Sequence, residues 1–250
     1  MSKLKYAITL GAALFLLHVI ANAPAHLIQW FIPQQLTFQA AHYQGSLWNG
    51  SARQLVMGSQ GATVALDAMK WRLKPLSLLT FSPAAEVNVK LAGSDIVTGE
   101  LQWLGGQRWG GENLEVNLPA NWVGRYGVGY PLAGDLSLQL TEVQADGQRI
   151  ASIAGNGSWQ RARLELGGQW LGLGTLAGDL AMQGEKIKLN FFDLSGPWDL
   201  DGQVLLNPDG KMEINGLVSP PPQTAESIIQ GLSLFGERQQ NGSYRIEFTY

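Results

Sequence analysis

From residue 33 onward apolar and polar residues alternate with period two, and this pattern constrains the fold more than any other feature of the chain. It runs through Val87/Val89/Leu91, Leu114/Val116/Leu118, Leu136/Leu138/Leu140, Ile187/Leu189/Phe191, Met212/Ile214/Val218 and Tyr244/Ile246/Phe248/Tyr250. Successive strand side chains point to opposite faces, so each run presents one apolar and one polar face. Turn residues punctuate the runs at Gly93-Ser94, Gly105-Gly106, Asp146-Gly147, Asn156-Gly157, Gly167-Gly168 and Asn207–Gly210. Such residues supply the positive φ with which antiparallel hairpins reverse. The expected class is all-β, a curved antiparallel β-meander. One short helix interrupts it near the C-terminus. Ser219-Pro220-Pro221-Pro222 breaks the strand pattern, and Thr224 is placed to cap Ala225–Phe235. There Ile228, Ile229, Leu232 and Phe235 share one face and Gly236 ends the helix. A helix of this kind would plug an end of the sheet or cover its edge.

The N-terminus follows a different rule. From Tyr6 to Ala52 there is no Asp, Glu, Lys or Arg, and this gap follows Lys3 and Lys5 directly. Within it lies the apolar run Ala7–Ala21, which includes Leu10, Leu14 and Leu17. A bilayer core needs about 20 mostly apolar helical residues, and positive charge marks the cytoplasmic side. The segment is therefore expected to be a single spanning anchor, with its N-terminus in the cytoplasm and Trp30 in an interfacial belt. The competing reading is a cleaved signal peptide, for which Ala21-Asn22-Ala23 offers the small residues of a cleavage site. Pro24 would then open the mature chain, which disfavours cleavage there. The expected division is an anchor over 1–32 and one β-domain over 33–250.

Composition removes several classes of function. A formal net charge of −3, with 15% charged residues, offers no surface for nucleic acid. Cysteine is absent, which excludes disulfides, thiol catalysis and thiolate metal sites. The three histidines, His18, His26 and His42, all sit in or beside the anchor, leaving the β-domain with almost no imidazole for acid–base chemistry. No catalytic residue, metal site or cofactor is expected. Gly172–Ala177 matches a loose dinucleotide pattern, but strand sequence lies on both sides of it, so it reads as a turn. Asn-Gly-Ser at Asn49, Asn156 and Asn241 reads more simply as hairpin turns than as glycosylation sites. Nine tryptophans suit core and interface anchoring, with an apolar groove for lipid as the sharper alternative.

Two motifs then point to a family. Tyr43–Ala52 reads G-x-x-W-x-G-x-A, with Gly45, Trp48 and Gly50 at its fixed positions. Trp71-Arg72-Leu73-Lys74-Pro75 follows as W-x-L-x-P. With the anchor and the late proline-rich break, the chain resembles type II secretion system protein N. That resemblance implies a non-catalytic inner-membrane accessory component with a periplasmic β-domain, acting with other secretion subunits in export of folded proteins across the outer membrane. More distantly the chain resembles AsmA-like proteins, whose curved sheets line apolar grooves for lipid. The residues themselves suggest structural work. Gly45 and Gly50 let strands turn tightly beside the bilayer, Trp48 and Trp71 cover the sheet end, and Pro75 stops a strand. An outer-membrane barrel is a further alternative, prompted by the alternating aromatic C-terminus.

Overall fold

The structure, a computed structural model, describes residues 2–32, 37–59, 62–125, 130–147, 149–166 and 168–249. The chain divides into two compact units, Met1–Gly105 and Gly106–Tyr250. The first begins with α1 (Ser2–Ala21) and a 3₁₀ turn (Ala25–Phe31). Its strands are β1 (Thr37–Gly45), β2 (Asn49–Ser59), β3 (Ala62–Leu73), β4 (Ala84–Leu91) and β5 (Ser94–Gly105), with a second 3₁₀ turn (Pro75–Leu78) between β3 and β4. Each strand pairs antiparallel with the next.

The second unit holds β6 (Arg108–Pro119), the one-turn α2 (Ala120–Val123), β7 (Leu132–Asp146), β8 (Arg149–Leu166), β9 (Gln169–Gln183), β10 (Lys186–Ser195), β11 (Asp199–Leu206) and β12 (Met212–Ser219). It ends with α3 (Glu226–Phe235), β13 (Gly236–Arg238) and β14 (Tyr244–Thr249). The strands follow sequence order up to β12, after which β14 intervenes between β12 and β13. Within each unit the order is linear, so each sheet is open. β14 is flanked by β12 and β13, which makes β13 the outer strand of the second unit.

The expected all-β antiparallel class is what forms. Several local readings need correction. Asn156-Gly157 is not a turn but lies inside β8, and Gly172–Ala177 lies inside β9. Thr224 does not cap α3: its hydroxyl donates to the Pro221 carbonyl at 2.7 Å, closing the preceding turn, and Ala225 occupies the N-cap without a side-chain bond. Among the described residues, no helix is long and apolar enough to cross a membrane. The side chains of Lys3, Lys5, Leu17 and Phe235 lie outside the described residues.

Two irregularities change which residues face inward. Gln54 takes φ 51°, and Ala52 and Leu55, three apart and so of opposite strand parity, are both 0% exposed. Arg161 takes φ 50° where the register of β8 shifts against β7 and β9. Trp159 and Ala162, also three apart, thereby join one apolar cluster with Leu173, Trp198 and Leu200. A bulge bends its strand and re-aims the side chains that follow it.

Candidate functional site: the helix–sheet junction and an apolar sheet face

The first candidate region lies where α1 gives way to the first sheet. Gly45 ends β1 at φ 86°, a left-handed conformation that favours glycine, and a Cβ there would stand 2.5 Å from the Asn49 carbonyl. The chain reverses through Ser46–Trp48, and Ser46 forms an isolated bridge with Pro24. Leu47 N–H donates to the Ala23 carbonyl at 2.7 Å, and the Trp48 indole N–H donates to the Ile20 carbonyl at 2.8 Å. One bond thus ties the last turn of α1, whose carbonyls have no partner inside the helix, to the β1–β2 reversal, and the other holds Ala23 just beyond the helix end.

The same reversal grips β3. The Trp71 indole N–H donates to the Leu47 carbonyl at 2.9 Å, and Leu73 N–H donates to the Trp48 carbonyl at 2.8 Å. Trp71 is 2% exposed, its ring lying over Gly50, where a Cβ would come within 2.8 Å of indole Cε2 and 2.6 Å of the Ser46 carbonyl. β3 then ends at Leu73, and Pro75 opens the following 3₁₀ turn. The structure therefore gathers Gly45, Trp48, Gly50 and Trp71 around one reversal, with Pro75 two residues beyond β3. Trp30 stands apart, on the outer side of a 3₁₀ turn whose Ala25 and Ile28 are buried, and is 81% exposed. Leu10 and Leu14 are exposed on α1.

The second region is one face of the second sheet. Register places Leu114, Leu140, Gly155, Leu180, Leu189, Val204, Ile214 and Phe248 in one continuous file across eight strands. The neighbouring file runs Val116, Leu138, Gly157, Gly178, Phe191, Gly202, Gly216 and Ile246. In it, large side chains lean over the glycines: a Cβ on Gly157 would meet Leu138 Cδ2 at 2.5 Å, and one on Gly202 would meet Phe191 Cζ at 2.7 Å. Ile228 and Leu232 of α3 pack on the cluster of Leu173, Trp198 and Leu200, at one end of this face. Of the two files, Leu114, Gly178 and Gly216 are buried, Phe248 is exposed and the others are half-buried. Sequence reading missed these files because their glycines resemble turns. The available signal was their place in mid-run, as in Gly155 and Gly157, rather than between runs.

Charge is sparse, with 15% of residues charged. Lys186 Nζ and Asn207 Nδ2 both reach Glu213 Oε1, at 2.8 and 3.0 Å, and the lysine contact chiefly holds that carboxyl below its ordinary range. Asp209 is lowered mainly by the backbone N–H of Lys211, and Asp95 mainly by a hydrogen bond from Asn88. A shallow depression of about 490 Å³ is lined by Asn190, Phe192, Asp201, Gln203, Asn215 and Arg245 among others. Among the described residues no group of three or more His, Cys, Asp or Glu could hold a metal ion.

Comparison with known proteins decides what kind of protein carries these features. The sequence model of type II secretion system (T2SS) protein N matches residues 37–247. The chain belongs to that family. A relative in the family, the type II secretion system protein N of Aeromonas hydrophila, is 25% identical over 258 residues, covering 95% of this chain and 96% of its own length. No solved structure matches the chain. The family match runs from the start of β1 into β14, ending two residues short of its end, and takes in Gly45, Trp48, Gly50, Trp71 and Pro75. It begins after Lys3, Lys5, Leu10, Leu14, Leu17 and Trp30, so those residues rest on their own chemistry. Membership supports an accessory role in type II secretion, and the family is not one of known enzymes.

Proposed function

We propose that this protein is a non-catalytic accessory component of the type II secretion system, held in the inner membrane by α1, with its β units in the periplasm. There it supports export of folded proteins across the outer membrane through contacts with other secretion subunits. The family match over residues 37–247 carries the secretion role. For the anchor, the support is the surface of α1. Leu10, Leu14, Phe15, Leu16, Val19 and Ile20 are all exposed. At 100° per residue they occupy every side of the helix, a pattern of helices immersed in apolar surroundings rather than of helices lying on a core. Twenty residues rise about 30 Å, the depth of a bilayer core. Lys3 and Lys5 set the orientation.

The mature protein is expected to keep its N-terminus and to fractionate with the inner membrane. Mass spectrometry that finds a chain beginning at Pro24 or His26 would refute the anchor. Deleting the gene should impair secretion while leaving envelope permeability unchanged, and the opposite result would refute the secretion role. Contact with other subunits is expected along edge strands β1 and β13 and on α3, because unpaired strand edges accept partner strands. A second reading, lipid binding by the second sheet, is favoured by one observation: α3 covers only one end of the two apolar files. Photocrosslinkers at Leu136 and Leu180 distinguish the two readings, yielding acyl-chain adducts only if the face holds lipid.

A further inference from the structure

The connection between β3 and β4 touches the regions described above only through Pro75, which opens it. Residues 75–83 read Pro-Leu-Ser-Leu-Leu-Thr-Phe-Ser-Pro, an uncharged and largely apolar stretch between two prolines. Loops at a water-facing sheet end are normally polar. Here Leu76, Leu79 and Phe81 are 78%, 76% and 87% exposed. Their exposure does not come from slack backbone. Ser77 Oγ accepts from Ala84 N–H at 2.8 Å and donates to the Lys74 carbonyl at 2.6 Å, closing the base of the connection. Leu79 N–H donates to the Leu76 carbonyl, Phe81 N–H to Leu78, Ser82 N–H to Ser77, and the Thr80 hydroxyl to Ser77. Phe81 is held at φ 56°, a conformation unfavourable for an aromatic residue. A well-bonded scaffold therefore projects three large apolar side chains outward. The nearest ion pairs, Lys74–Glu100 and Arg72–Glu86, stand on the sheet behind the tip.

Position supplies the occupant. β3 delivers the chain to this connection beside Trp48, through the Leu73–Trp48 bond, and Trp48 is bonded to the last turn of α1. The apolar tip therefore leaves the first sheet at the same end as the C-terminus of α1. We infer that residues 75–81 form a second membrane contact, with Leu76, Leu79 and Phe81 entering the bilayer interface beside the helix. The inference rests on reading α1 as the anchor. Aromatic and aliphatic side chains at headgroup depth suit an interface. One helix leaves a domain free to tilt and rotate, whereas helix and tip together fix how the strands of the first sheet stand on the membrane.

The test uses the full chain, whose lack of cysteine permits single labels. Leu76→Cys and Leu79→Cys report on the tip, Leu10→Cys on α1, and Ser94→Cys on the β4–β5 turn at the opposite end of the same strands. Each variant carries an environment-sensitive fluorophore and is reconstituted in phosphatidylethanolamine–phosphatidylglycerol vesicles, with and without lipid spin-labelled near the headgroup for the labels at 76, 79 and 94 and along the acyl chain for the label at 10. The expected result is blue-shifted emission and loss of most intensity to the spin label at 76 and 79, with no loss at 94. Tip labels that behave like the one at 94, beside a quenched label at 10, would overturn the inference and leave the anchor standing. Tip labels that are blue-shifted yet unquenched would also overturn it, since protein and not lipid would cover the tip. Failure of quenching at both 10 and the tip would overturn anchor and inference together. Quenching at the tip alone would support the lipid contact and refute the anchor.

Discussion

Replacing Gly50 by alanine tests whether close backbone approach organises the helix–sheet junction. The backbone at Gly50 is not left-handed, so the substitution adds no conformational strain and acts through packing alone. The new methyl would lie 2.6 Å from the Ser46 carbonyl and 2.8 Å from Cε2 of Trp71. Trp71 is fully enclosed and cannot swing away without losing the bond from its indole N–H to Leu47. Overpacking of this kind costs about 1–3 kcal/mol, and the lost hydrogen bond adds about 1 kcal/mol. The sum, about 2–4 kcal/mol, should lower the urea midpoint of the detergent-solubilised chain by about 1–2 M, given ordinary urea slopes. Trp71→Phe removes the part of the ring that meets the methyl. In that background Gly50→Ala should cost less by about 1 kcal/mol or more, with the clash against Ser46 remaining. A change within about 0.5 kcal/mol for Gly50→Ala, or strict additivity with Trp71→Phe, would refute the argument.

Trp48→Phe removes the indole bond to Ile20, so hydrogen exchange at the Leu47 amide should accelerate by about fivefold, reflecting about 1 kcal/mol, while distant strands stay unchanged. Gly202→Ala should destabilise by about 1–3 kcal/mol in urea unfolding, and Phe191→Leu should recover part of that cost, because the added methyl meets Phe191 Cζ at 2.7 Å. The depressed carboxyl of Glu213 contributes stability above the ordinary carboxylate range and loses it as pH falls through its lowered value. Thermal midpoints measured from neutral pH down to about pH 3 should therefore decline less in Glu213→Gln than in the parent chain.

How far the sequence disclosed this arrangement depended on which force controlled each element. Alternation over Val87–Leu91 or Leu136–Leu140 identifies strands, because a half-buried sheet leaves no other economical pattern. The face reached by Leu55 or Ala162 was not legible. Left-handed residues at Gln54 and Arg161 invert the alternation locally, and neither residue type announces that conformation. Asn156-Gly157 misled for a related reason. The same dipeptide that favours a hairpin turn also serves in mid-strand when a neighbour such as Leu138 fills the space above glycine. α3 was legible from its apolar spacing, but its start was displaced because the Thr224 hydroxyl found a nearer partner in Pro221. Of the junction, Gly45, Trp48, Gly50 and Trp71 could be named but not joined. The bonds joining them run from indole N–H groups to backbone carbonyls, and sequence records neither partner's direction. The outward exposure of Leu76, Leu79 and Phe81 belongs to the folded connection, and no alternation or spacing in the sequence reports it.

The pairing of each strand with its sequence neighbour also governs how the chain acquires its structure. Nearly every long-range contact within a unit is a hairpin contact, so few distant segments must meet before strands begin to pair. Folds dominated by local contacts pay little loop-closure entropy at each step and can assemble quickly. A chain released N-terminus first could add each strand to an edge already formed. The exception comes last. β14 must settle against β12 with β13 on its far side, so α3 and β13 have to form and fold back before that edge is finished. Completion of the second unit therefore waits for the final residues of the chain, and a truncation before Tyr244 should leave β12 as a persistent, unpaired template for aggregation.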